Sequence, residues 1–255
     1  MTQTKDRFGG VARLHGNDGF EKLQNAHVCV VGVGGVGSWA AESLARAGIG
    51  EISLIDADDI CVTNTNRQIH ALTETVGHEK VSAMASRIKS INPDCKINQE
   101  TTFFLESTAE NLLAPSYDFV IDAIDSIKHK SLLIALCKQK DINLITIGGA
   151  GGKVNIADIQ VSDLGRSYDD MLLCKLRKEL RKKYGFPRFK NKKFHVQCVF
   201  SPEMPKLPWC EVDNQDQQTS LKLDCNNGFG TDMTVVSIFG ITAAHYVIGQ
   251  IVEGK

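Results

Sequence analysis

Short unbroken runs of β-branched and aliphatic residues recur through the first 150 positions of this 255-residue chain. They alternate with segments whose apolar positions return every three or four residues. Runs of the first kind suit strands buried on both faces, and segments of the second kind suit helices that pack on them by one stripe. On this pattern 27–31, HVCVV, is a first strand, 37–47 a helix, and EISLID from Glu51 to Asp56 a second strand. The next stretch, ADDICVTNTNRQIHA, is too dense in Asn, Asp and Thr for a regular element. A helix then runs from about Lys80 to Ser90, a third strand lies near 96–101, and 107–113 is helical. YDFVIDAIDS from Tyr117 carries a fourth strand ending in Asp122 and Asp125, 128–139 is a helix, and INLITIGGAGG from Ile142 opens with a fifth strand. Residues 1–26 read as an arm leading into a short helix.

Strand, turn, helix, strand within about thirty residues gives parallel pairing and a right-handed crossover. The fold class expected is α/β: a Rossmann-like, doubly wound, mostly parallel sheet with an irregular C-terminal extension. In such a sheet the carboxyl ends of the strands line the ligand crevice, so Asp56, Asp125 and Gly148–Gly152 should converge. The turn after the first strand, GVGGVGS, is built for an anion. Gly32 permits the tight turn, Gly34 and Gly35 let phosphates approach bare backbone, and Gly37 lets the helix pack close to the strand. Free N–H groups and the positive end of the helix then face that anion. Asp56, about twenty residues on, stands where an acidic side chain accepts hydrogen bonds from ribose hydroxyls.

The rhythm breaks near 165. Lys175 to Lys193 holds ten Lys/Arg against a single Glu179, first at helical spacing and then through a Gly-Phe-Pro break with Phe186 and Phe189 interleaved. Two readings stand for this segment: a solvated surface, or a contact to a phosphate backbone. Residues 201–220, with Pro202, Pro205 and Pro208 and an acidic, glutamine-rich tail, read as a loop or linker. Met233 to Val252 is apolar and long enough to raise a membrane span. His245, Gln250 and three Thr/Ser residues interrupt it, so a buried core helix is the favoured reading.

Composition narrows the setting. A hydrophobic fraction of 42% supports a full core, and a formal net charge of −1 gives no global attraction to DNA or RNA, so any such contact must be local. The opening MTQTKDRFGG has no signal-peptide character, and the eight cysteines contain no CxxC pair. The expectation is a cytoplasmic protein with reduced thiols, without a disulfide framework or a structural zinc.

The glycine spacing fits a dinucleotide as well as ATP. The residues beyond Asp56 separate the two: Asn64, Arg67, Gln68 and Lys80 supply donors suited to a triphosphate, and Asp125 offers the hard oxygen that magnesium prefers. In that order GVGGVGS at 32–38, LIDADD at 54–59, NTNRQ at 64–68, GHEK at 77–80 and DAIDS at 122–126 resemble the ubiquitin-activating-type adenylation domain shared with the ThiF and MoeB proteins. The resemblance implies an ATP-binding adenylation domain over 27–165, with the arm 1–26 before it and 166–255 packing on the same body. It implies that a carboxylate attacks the α-phosphate of ATP to give an acyl-adenylate. Asp56 and Asp58 would serve the ribose side, Asn64, Arg67, Gln68 and Lys80 the phosphates, and Asp125 the magnesium, with Arg67, Lys80 and Asp125 the catalytic set. Domains of this kind usually form homodimers. Where the MoeB-like pattern has a second arginine, RFGG has Gly10, so Arg7 or Arg13 would have to reach a partner's site.

RFGGVARLHG at 7–16, TNTNRQIHAL at 63–72, GGAGG at 148–152 and DCNNGFG at 224–230 are more similar still to one branch, the tRNA threonylcarbamoyladenosine dehydratases. That resemblance implies ATP-dependent cyclisation of threonylcarbamoyladenosine in tRNA. The basic residues Lys175, Arg177, Lys178, Arg181, Lys182, Lys183, Arg188, Lys190, Lys192 and Lys193 would then hold tRNA phosphates. The alternative is adenylation of the C-terminus of a small sulfur-carrier or ubiquitin-like protein. A further partner would be a cysteine desulfurase and sulfur-acceptor pair. Cys225 is the first thiol to test as a nucleophile, followed by Cys198 and Cys210.

Overall fold

The computed structural model describes residues 2–189, 192–207 and 229–254. Among the described residues one sheet has seven strands, in the order β3-β2-β1-β4-β5-β7-β6. They are β1 (His27–Val31), β2 (Glu51–Ile55), β3 (Lys96–Glu100), β4 (Phe119–Asp122), β5 (Leu144–Ile147), β6 (Gln160–Asp163) and β7 (Gln197–Phe200). Every pairing is parallel except that of β6 with β7. Each strand expected in the first 150 residues is present, and each starts within two residues of its expected position.

Helices cover both faces: α1 (Thr2–Asn25), α2 (Gly35–Arg46), α3 (Lys80–Ile91), α4 (Ala109–Leu112), α5 (Ile127–Gln139), α6 (Met171–Lys183) and α7 (Met233–Glu253). Alternation along β1 shows the division. Val28 and Val30 point into a core shared with α2, α3 and α7, while Cys29 and Val31 point into one shared with α5 and α6. Strand order reverses between β1 and β4, which opens a crevice at their carboxyl ends.

Three features go beyond the sequence reading. The arm is helical from Thr2, broken at Gly16, whose φ of 76° lies in the left-handed region. The C-terminal region adds β6 and β7 to the sheet. Both are four residues long, and β6, QVSD, is a polar edge strand, so neither stands out as an apolar run. The apolar terminal segment is α7, with a mean hydropathy of 1.7 over its most apolar stretch. It is a core helix: Val235, Val236, Phe239, Ala243, Ala244 and Val247 are buried. Gly240 sets its close crossing with α2, since a Cβ there would stand 2.3 Å from the Val36 carbonyl oxygen.

Candidate active site

The crevice holds a cavity of about 660 Å³. Its floor is the glycine turn. Gly32 closes β1 by donating its N–H to the Ile55 carbonyl at 2.8 Å, and turns the chain with φ 88°. A Cβ at Gly37 would stand 1.8 Å from the Gly32 carbonyl oxygen, so α2 approaches the turn as closely as backbone allows. Gly35 is pressed by Val236 of α7 and by the Arg67 stem. Gly34 is the open position: the nearest neighbour a Cβ would meet is Gln68 Nε2, at 3.9 Å. The first-turn N–H groups of α2 therefore have room for an anion.

Asp56 ties this turn to the end of β2. One carboxylate oxygen accepts from Val33 N–H at 2.6 Å and the other from Asp58 N–H at 2.9 Å. A carboxylate accepts about four hydrogen bonds, so capacity remains for ribose hydroxyls. Lys80, the first residue of α3, is nearly buried; its Nζ lies 2.6 Å from Asp58 and 3.9 Å from Asp56. Arg67 is oriented from three sides: its guanidinium donates to the Thr63 carbonyl and to Asn66 Oδ1, and its own carbonyl accepts from Trp39 Nε1. Asn64 Oδ1 caps its loop by accepting from Cys61 N–H at 3.0 Å, leaving the Nδ2 group for another acceptor.

Asp125 is exposed on the loop between β4 and α5, and that loop rests on a fully buried ion pair. Lys130 Nζ lies 3.0 Å from Asp122 and donates to the Asp122 and Ile124 carbonyls; Asp122 also accepts from Thr146 Oγ1 and from Ile124 N–H. Burial pushes the Asp122 carboxyl above its ordinary range, opposed by Lys130 and Thr146. Of the two carboxylates that end the fourth strand, Asp122 is thus a structural residue and only Asp125 faces the cavity.

Gly32, Gly34, Gly35, Asp56, Asp58, Asn64, Arg67, Gln68, Lys80 and Asp125 all line this one cavity, and Gly37 stands just beneath it. Gly148, Gly149 and Gly151 line it too. Sequence reasoning missed Thr102, Phe103 and Phe104 after β3, Leu172 of α6, and Phe229 and Thr231. These come from separate loops and a helix and share no motif. The tie between them and the site is tertiary: Asn66 Nδ2 donates to the Thr231 carbonyl and Gly152 N–H to that of Gly230. His129 also lines the cavity, four residues beyond Asp125.

Other expectations resolve differently. Cys225, Cys210 and Lys190 lie outside the described residues. Cys198 is corrected: it is fully buried in β7, where desolvation pushes its thiol up to about 12, so it is no nucleophile. Neither Arg7 nor Arg13 lines the cavity, and Arg7 donates to the Ile91 carbonyl at the end of α3 remote from Lys80. Among the described residues no cluster of three or more His, Cys, Asp or Glu could enclose a metal. The donor set instead fits a nucleotide triphosphate: backbone N–H groups, Arg67 and Lys80 for its phosphates, and a lone carboxylate for a cation that the phosphates also hold.

The ThiF family model matches residues 10–252. The tRNA threonylcarbamoyladenosine dehydratase of Haemophilus influenzae is 45% identical over 251 residues, covering 98% of this chain and 95% of the relative. That of Escherichia coli K12 is 44% identical over 248 residues, covering 96% and 92%. The crystal structure of the Escherichia coli enzyme TcdA in complex with ATP superposes with a TM-score of 0.88 at 43% identity, covering 98% of this chain and 95% of that one. The chain therefore belongs to the ThiF family and, within it, to the tRNA threonylcarbamoyladenosine dehydratases.

Proposed function

We propose that this protein uses ATP to remove one water from threonylcarbamoyladenosine in tRNA, closing the modification into a ring. The observation that carries the reading is the single cavity that joins the glycine turn to Arg67, Lys80 and Asp125, in a chain related to these dehydratases along nearly its whole length.

The substrate is a carboxylate, a poor electrophile until one oxygen becomes a good leaving group. An oxygen of the threonyl carboxylate attacks the α-phosphorus, the bond to pyrophosphate breaks, and an acyl-adenylate results. A nitrogen of the same modification then attacks the activated carbonyl carbon, loses its proton, and AMP departs. Because that nucleophile is tethered to its target, ring closure gains the entropic advantage of an intramolecular reaction and needs no enzyme thioester.

The residues divide the work. The first-turn N–H groups of α2 hold phosphate oxygens at no reorganisation cost, since the turn is fixed by Gly32 and Gly37. Asp56 accepts from the ribose. Arg67, Lys80, Asn64 and Gln68 meet the charge that shifts toward pyrophosphate, and Lys80 can move between Asp58 and a phosphate without leaving the cavity. Magnesium, when bound, would neutralise phosphate charge, with Asp125 as its protein ligand. Gly149, where a Cβ would meet nothing closer than Leu172 at 3.7 Å, leaves room for the substrate beside the cavity, whereas Gly148 is closed by Asp170. Exposed cations of the segment 175–193 hold the tRNA backbone.

Pyrophosphate exchange tests the choice of carboxylate. Exchange of labelled pyrophosphate into ATP is expected with tRNA carrying threonylcarbamoyladenosine and not with a diglycine-tailed carrier protein. Exchange with the carrier alone would overturn the reading in favour of sulfur-carrier activation.

A further inference from the structure

A second cavity, of about 980 Å³, lies across the first turn of α6 from the nucleotide cavity. Arg166, Arg177 and Arg181 line it, together with Tyr168, Met171 and Met204. Among the described residues none of these three guanidinium groups pairs with a carboxylate. Two of them are instead set by neutral partners: Arg177 donates to Ser167 Oγ, and Arg181 donates to the Pro187 carbonyl at 3.0 Å and stacks over Phe194. Asp170, one of two acidic residues in the wall, is already committed. It caps α6 by accepting from Leu173 N–H, accepts from Gly149 N–H, and pairs with the buried Lys153 at 3.2 Å. The second acid, Asp169, is exposed beside it.

Positions 170, 174, 177 and 181 of this wall repeat at helical spacing, so they form one stripe of α6. Lys175, Lys178 and Lys182 are exposed on a different stripe. The basic segment thus has two faces, of which one is a groove of oriented arginines. Opposite them Tyr168 is 51% exposed, with its ring edge held against Phe200 at 5.5 Å between centroids. Met171 and Met204 are 46% and 69% exposed, so the groove also offers apolar surface.

We propose that this groove binds the single-stranded anticodon-loop nucleotide next to the modified adenosine, its base on Tyr168 and its phosphate against Arg166, Arg177 and Arg181. The proposal rests on the tRNA reading above. Single-stranded RNA is recognised by stacking on aromatic or guanidinium planes combined with charge along the backbone, and the groove has both. Its position supplies the rest: Asp170 lines the groove and touches Gly149 of the nucleotide cavity, so a residue adjoining the reacting one falls there without leaving the loop. An acidic peptide would use the arginines but has no need of Tyr168.

The test is binding of a labelled anticodon stem-loop carrying the modification, by anisotropy across a salt series, to the full chain and to Tyr168→Ala, Tyr168→Phe and Arg166→Ala. Tyr168 and Arg166 are exposed, and thermal melting checks that each variant folds. Tyr168→Ala is expected to weaken binding about tenfold or more, Tyr168→Phe to retain it, and Arg166→Ala to reduce the salt slope by about 1. ATP affinity should be the same in all four. Stem-loop affinity unchanged in Tyr168→Ala would overturn the proposal. So would loss of binding to polyglutamate with RNA affinity intact, which would assign the groove to a protein. If unaltered protein dehydrates modified tRNA and the groove variants match it in KM, only the groove assignment falls. If unaltered protein leaves the nucleoside unchanged, the functional reading itself falls.

Discussion

The glycine turn and the arginine groove lie on either side of the α6 N-terminus and are built in opposite ways. The turn is contiguous, Gly32 to Gly37, and its ligand-facing surface is backbone. The groove is assembled from residues 165–171, from α6 and from Met204, and its ligand-facing surface is side chains. A backbone site tolerates almost no added atoms, whereas a side-chain site loses affinity one contact at a time. The turn should therefore respond to substitution in an all-or-none manner, and the groove by degrees.

The largest effect is expected at Gly37. In Gly37→Ala the new Cβ would stand 1.8 Å from the Gly32 carbonyl oxygen, so the turn must open. A loss of at least about 3 kcal/mol in denaturant unfolding and no detectable ATP binding are expected. Gly34→Ala makes the contrast, because its Cβ meets nothing closer than 3.9 Å. Unfolding stability should change by less than about 1 kcal/mol while ATP affinity falls. Equal destabilisation of the two variants would break the account of the turn.

Next comes the pair beneath Asp125. Lys130→Met leaves Asp122 buried and unpaired, at a cost of about 3–5 kcal/mol; adding Asp122→Leu should restore much of it. A double variant no more stable than the single one, by chemical denaturation, would count against the pair as the support of that loop.

Asp170 stands where the two sites meet. Asp170→Asn keeps an acceptor for Leu173 N–H but leaves Lys153 without its carboxylate, at a cost of about 2 kcal/mol. ATP and stem-loop affinities should both decline. A decline in only one would show that the sites are independent.

A further effect is in pH dependence. His70 is buried in the TNRQIHAL stretch, where desolvation, aided by Lys80 and Arg87, holds its pKa down to about 4. The folded state then favours the neutral ring, while the unfolded chain takes up a proton near the ordinary value of 6.5. Stability from this group is complete above pH 6.5 and is lost as the pH falls from there toward 4, by at most about 1.4 kcal/mol per pH unit. His70→Leu should flatten that slope in melts between these limits.

The same contrast explains what could be read from sequence. Of the first five strands, β1, β2, β4 and β5 were legible because parallel strands buried on both faces must be largely apolar runs, as HVCVV and FVID are, whereas β3, KINQE, is a polar edge strand. The nucleotide cavity was legible because the turn, Asp56 and Asp125 all stand at strand ends, where topology alone brings them together. The groove was not. Arg177 and Arg181 are set apart from Lys178 and Lys182 as a face by helical phase, which a run of basic residues does not display, and Tyr168 and Met204 reach the same wall through tertiary packing. Strand β6 was hidden likewise: a four-residue edge strand with one buried position carries too little pattern to register.

Nucleoside mass analysis of tRNA after incubation with this protein decides whether it closes the ring. In the presence of ATP and magnesium, threonylcarbamoyladenosine should lose the mass of one water, with AMP and pyrophosphate formed in equal amounts; without ATP it should not change. An unchanged nucleoside mass with ATP present, and folded protein that binds both ATP and the tRNA, would contradict it.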